Sequence, residues 1–96
     1  MLTRRRAGEG KVRVGFSLPA QVQADRASVC GEFTQWGPGK PMKRGKDGRW
    51  QVSVALETGR SYRFRYLLDG SRWENDWAAD DYVPNPFGED DSVVKL

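Results

Sequence analysis

Three observations predict an all-β, single-domain antiparallel sandwich for this chain. Apolar and polar residues alternate with a period of two in several runs, most strongly in Tyr62-Arg63-Phe64-Arg65-Tyr66-Leu67-Leu68, as a strand with one face in a core requires. Turn signals built on Gly, Pro and Asp-Gly separate these runs at the intervals of small sandwiches. No stretch sustains a helical period.

The strongest run organises the rest. Tyr62, Phe64, Tyr66 and Leu68 share its core face, and Arg63 and Arg65 point outward. Asp69-Gly70 closes it with a tight turn and hands over Trp73. Upstream, Lys11 to Leu18 alternates Val12, Val14, Phe16 and Leu18 against polar or small residues, and Pro19 ends the run for want of a ladder donor. Residues 20–25 are polar and expected as a loop. Ala27 to Phe33 turns Ala27, Val29 and Phe33 inward and leaves Ser28, Cys30 and Glu32 outside. A Gly/Pro loop around Trp36 follows, and Met42-Lys43 restarts an extended piece. Lys46-Asp47-Gly48-Arg49 is a hairpin signal, after which Trp50, Val52, Val54 and Leu56 alternate. Thr58-Gly59-Arg60 turns into the organising strand. Residues 74–88 are polar and irregular, and Ser92 to Leu96 forms a closing strand with Val94 and Leu96 inward.

Composition limits the function. Ninety-six residues make one domain with a modest core. The net charge is +3, but three of the basic residues are Arg4, Arg5 and Arg6, in a segment (residues 1–10) expected to be a disordered basic tail ahead of a domain spanning 11–96. Without these three the charges balance, so the concentrated basic field of a nucleic-acid surface is absent and no nucleic-acid partner is expected. The tail is followed by no apolar run and no segment suits a bilayer, so neither a secretory leader nor a membrane association is expected. A single cysteine, Cys30, fits a reducing compartment and a cytoplasmic location. The acidic run Glu89-Asp90-Asp91 lacks the spaced ligands of a calcium loop and is expected to be solvated. No metal or cofactor is expected.

The motifs together have a family likeness. Gly31-Glu32-Phe33-Thr34-Gln35-Trp36 gives G-x-F-x-x-W. After it come Pro41-Met42, Gly48-Arg49-Trp50, Tyr66-Leu67-Leu68-Asp69-Gly70, Trp73-Glu74-Asn75-Asp76, and Val83-Pro84-Asn85-Pro86-Phe87-Gly88 leading to Ser92-Val93-Val94. From Lys11 to Leu96 the chain resembles the glycogen-binding domain of the AMP-activated protein kinase β subunit. More broadly it resembles carbohydrate-binding module family 48, immunoglobulin-like domains that also precede the barrels of isoamylases and branching enzymes. The resemblance implies a non-catalytic module for α-glucan (glycogen, starch or malto-oligosaccharide). It assigns a two-tryptophan platform to Trp36 and Trp73, a basic contact to Arg65, an apolar probe to Phe87, and polar contacts to Glu89 and Asp91. Arg65 stands where Lys is common, and Glu89 and Asp91 stand where Thr and Asn are usual. Arg65 is expected to be the cation that offsets Asp91.

The chemistry of the residues agrees. A glucose ring has an apolar C–H face and a hydroxyl rim, which indoles and polar side chains cover respectively. Trp50, at an inward strand position, is expected in the core. Trp36 sits in a Gly/Pro loop and Trp73 follows a turn, where a core cannot easily use them. An enzyme is not expected: the chain has no histidine, and a glycosidase needs two carboxylates across a cleft. The alternative is an interaction or scaffold domain that packs beside a glycoside hydrolase or kinase without touching sugar. Against it stands the pair of tryptophans.

Overall fold

Alternation becomes architecture in a computed structural model that describes Met1–Leu96. Ten strands form: β1 (Leu2–Gly8), β2 (Lys11–Ser17), β3 (Ala27–Gly31), β4 (Lys40–Pro41), β5 (Lys43–Arg44), β6 (Trp50–Glu57), β7 (Ser61–Leu68), β8 (Arg72–Glu74), β9 (Asp81–Pro84) and β10 (Asp90–Lys95). The only helical turn is a three-residue 3-10 segment, Glu32–Thr34. One antiparallel sheet runs β1-β2-β6-β5, and the other runs β4-β3-β7-β10-β9 with β8 also on β7. The two sheets pack face to face as an immunoglobulin-like β-sandwich. No helix is long and apolar enough to cross a membrane.

The core is the set the period of two selects. Val14 and Phe16 of β2, Trp50 and Leu56 of β6, Val29 of β3, and Tyr62, Phe64, Tyr66 and Leu68 of β7 meet between the sheets. The Phe16 ring meets Phe64 edge-on at 5.0 Å and stacks on Phe33 at 5.5 Å. Burying each such ring contributes about 2–3 kcal/mol. Trp50 is 9% exposed, as its inward position requires.

β7 is the spine of the second sheet. β3 lies along one side of it, while its other side is shared: β10 pairs with residues 61–64 and β8 with residues 66–68. The β7–β8 turn puts Asp69 and Gly70 both at positive φ (54° and 73°), which glycine accepts without strain. Asp69 has a second use. Its carboxylate accepts the N–H groups of Asp25 and Arg26, bonds that hold it below the usual carboxylate range.

One expectation fails at the amino end. Residues 2–8, assigned from the sequence to a disordered tail, form β1 and pair with β2 from Leu2↔Phe16 to Gly8↔Lys11. Backbone ladder bonds hold an edge strand without apolar alternation, and only Leu2 packs against the core. The available signal was Gly8-Glu9-Gly10, whose three positive φ angles turn the chain back into β2. Strand β3 also ends earlier than its alternation suggests, at Gly31, although Phe33 still reaches the core from the 3-10 turn.

Candidate functional site

The outer face of the six-stranded sheet is built on β7. Arg63, Arg65 and Leu67 point away from the core there, alternating with the buried Tyr62, Phe64, Tyr66 and Leu68. Directly paired residues share a face, so Trp73, opposite Leu67, and Val93, opposite Arg63, lie on the same surface. Asp91, two residues before Val93, joins them.

The G-x-F-x-x-W motif now has a physical reading. A Cβ at Gly31 would sit 2.5 Å from the Arg63 carbonyl oxygen of β7, so only glycine lets β3 turn away at this point. Phe33 anchors the turn on Phe16 and Tyr62. Thr34 locks it, its hydroxyl accepting the Gly31 N–H and donating to the Gly31 carbonyl, each at 3.0 Å. Gln35 and Trp36 then both adopt left-handed φ (52° and 57°), an uncommon and costly conformation for two non-glycine residues in succession. The product is an indole lifted out of the core, 38% exposed. Glu32 ends the β3–β7 ladder by accepting the Arg63 N–H at 2.7 Å.

The segment between β9 and β10 supplies the opposite wall. Its organiser is Asn85, which the sequence reading did not single out. The Asn85 Oδ1 accepts the N–H groups of Phe87 and Glu89, and its Nδ2 donates to Asp91 Oδ1 at 3.1 Å. Its backbone N–H closes the hairpin on the Glu89 carbonyl. Phe87 stands at the tip, 87% exposed. Asn between two prolines, followed by Phe-Gly, was the available signal.

Trp36, Arg65, Trp73, Phe87, Glu89 and Asp91 all line one groove of about 610 Å³, where Glu32, Arg63, Asn85 and Pro86 join them. Trp73 is 43% exposed, and the Arg65 guanidinium carbon lies 5.6 Å from the centre of its ring. Arg65 is largely covered and donates to Glu89 Oε1 at 3.1 Å.

Here the expected pairing is corrected. Arg65 does not face Asp91; its guanidinium is drawn onto Trp73 and Glu89. Asp91, only 5% exposed, takes Asn85 as its hydrogen-bond donor and has Arg63 as its nearest cation at 3.8 Å. The acidic run is likewise not simply solvated, since Glu89 and Asp91 turn into the groove. Cys30 is on the outer face, as expected, but fully buried: a Cβ at Gly39 would meet its sulfur at 2.5 Å, so the loop after Trp36 seals it. That burial pushes the thiol pKa up.

No curated protein matches the chain. The family model described as the glycogen recognition site of AMP-activated protein kinase matches residues 17–93, about four-fifths of the sequence. The match takes in every strand from β3 to β9 and all six residues that the motifs had singled out. The chain belongs to the family of the AMP-activated protein kinase glycogen recognition site.

Proposed function

We propose that the protein is a non-catalytic module that binds α-glucan, including starch-type chains, with Trp36 and Trp73 as a platform under the sugar rings. The observation that carries this reading is convergence. Side chains from four separate stretches of sequence, at 36, 65, 73 and 87–91, line one groove on the outer face of the six-stranded sheet. Indoles cover the C–H faces, Phe87 inserts against the apolar side of the chain, and the charged rim takes the hydroxyls. Arg65 braces the back of Trp73.

The groove's carboxylates are each engaged: Glu32 by the Arg63 N–H, Glu89 by Arg65, and Asp91 by Asn85. None is left as a free acid–base partner, which supports binding without turnover. A buried, unpaired Cys30 fits a reducing cytoplasm.

Retention on glycogen or insoluble starch tests the reading. Trp36→Ala and Trp73→Ala should each abolish most retention while the fold survives. Wild-type retention should persist at moderate salt, since stacking is not screened, and no new reducing ends should appear from malto-oligosaccharides. Normal retention by both variants would sink the platform, and no retention by the wild type would leave the scaffold alternative.

A further inference from the structure

The sequence of β1 is unusual for a strand, Leu-Thr-Arg-Arg-Arg-Ala-Gly, and nothing in the glucan groove uses it. β1 is the end of its sheet and pairs only with β2. Its position is fixed by Thr3, whose side chain fills the space over Gly15, where a Cβ would meet the hydroxyl oxygen. Ser17 donates its N–H to the Met1 carbonyl at 2.9 Å. Antiparallel alternation then makes Thr3–Gly15 and Arg5–Arg13 bonded pairs and turns the backbone groups of Leu2, Arg4 and Arg6 to the open edge. Three consecutive rungs of a ladder are therefore offered to solvent.

The charges along that edge are unbalanced. Arg5 lies directly opposite Arg13 on one face, a like-charge arrangement that is unfavourable in a sheet. Arg4 is tied to Asp80, but Arg5, Arg6, Lys11 and Arg13 form no ion pair. A cleft of about 690 Å³ opens beside the strand, lined by Arg4, Arg5, Arg6, Lys11 and Lys95 against one acidic side chain, Glu9. No aromatic residue lines it. A nucleic acid would therefore find charge but no stacking surface, and it would leave the strand edge unused. A second copy of the same edge would bring arginines against arginines, which protects the strand from self-pairing.

We propose that β1 accepts an extended acidic segment of a partner protein as an added strand. The segment's backbone bonds to Leu2, Arg4 and Arg6, and its carboxylates on alternate residues meet Arg5, Lys11 and Arg13, which share one face of the sheet. The cleft shares no residue with the glucan groove, so both are free at once. If the groove binds glucan as proposed, the module tethers an acidic-tailed partner to glycogen. The peptide site itself does not depend on that reading.

The test titrates the 96-residue protein with a fluorescent eight-residue peptide alternating Glu and Val. A fully N-methylated copy keeps the charge but cannot donate to a ladder, and an oligothymidylate of similar charge serves as the phosphate probe. The expected result is saturable peptide binding at about 50 mM salt that weakens at about 300 mM. Binding should weaken at least about tenfold on N-methylation and again in the Arg5→Gln/Arg13→Gln variant, whose glycogen retention and melting temperature stay normal. Slowed amide exchange at Arg4 and Arg6 on peptide addition would place the added strand. Three results would overturn the proposal: no saturable binding at low salt, equal binding of the methylated peptide or the oligonucleotide, or dimerisation of the protein through this edge.

Discussion

Tyr66→Phe deletes one oxygen from the middle of β7, and the structure sets the cost. The Tyr66 hydroxyl donates to Asp76 Oδ2 at 2.6 Å, and both residues are buried. A hydrogen bond to a charged group contributes about 1.5–3 kcal/mol. The carboxylate keeps other donors, the Met1 α-amino group at 2.5 Å and the Ala78 N–H at 2.8 Å, which places the loss near the lower end, at about 1.5–2 kcal/mol. A domain of this size loses about 4–8 °C per kcal/mol, so the melting temperature should fall by roughly 6–16 °C. Tyr62→Phe is the internal control. Its hydroxyl meets only the backbone of Glu57, in two long, part-buried bonds at 3.1 and 3.3 Å, and neutral bonds at the weak end of their range contribute about 0.5 kcal/mol each. Calorimetry of both variants decides the matter: a Tyr66→Phe shift no larger than that of Tyr62→Phe would refute the argument. Burial, and then the charge and hydrogen bond of Asp76, hold the Tyr66 phenol well above the usual tyrosine range. A raised pKa means that stability is intact below the unfolded value of 10.0 and declines as pH rises beyond it. Tyr66→Phe should lack that alkaline component.

Asn85→Ala should speed amide exchange at Phe87 and Glu89 and reduce glucan retention; unaltered exchange would show that the amide does not hold the loop. Asp91→Asn keeps an acceptor for Asn85 and gives up only a screened ion pair, since Arg63 is 43% exposed. Its stability should change by less than about 1 kcal/mol and its glucan retention should equal the wild type's. A loss as severe as that of Trp73→Ala would make the carboxylate an essential contact. Gly39→Ala combines a φ of +83° with a Cβ 2.7 Å from the Val29 carbonyl oxygen, so it should cost about 1–3 kcal/mol and shift the loop that carries Trp36. A normal melting temperature would contradict the sealed packing over Cys30.

The sandwich was legible wherever a side chain's environment alternates along the chain. β2, β6 and β7 each have one wet and one dry face, so period two exposes them and puts Phe16, Trp50 and Phe64 in the core. β1 was illegible because it buries almost nothing, and β4 and β5 because two residues carry no period. The six groove residues were legible through motif order. Their pairing was not, because which carboxylate meets which arginine depends on register and on how side chains lean across a sheet. Asp91 with Arg63, and Arg65 with Glu89, are outcomes of that kind. The buried Asp76 was hidden for a related reason: its partners Tyr66 and Ser92 lie 10 and 16 residues away in sequence.

The hairpin from Asn85 to Glu89 closes on itself. Its ends meet through the Asn85 N–H and the Glu89 carbonyl at 2.7 Å, next to the Pro84↔Asp90 rung, and its interior is organised by a single amide. Apart from the Asn85 bond to the buried Asp91, its interior bonds stay within the loop, so this short piece behaves as an exchangeable cassette. Lengthening it costs little closure entropy, about 0.6 kcal/mol for each doubling, and leaves the sandwich untouched. If the groove binds glucan as proposed, the reach of this wall can change without disturbing the fold beneath it or the positions of Trp36 and Trp73.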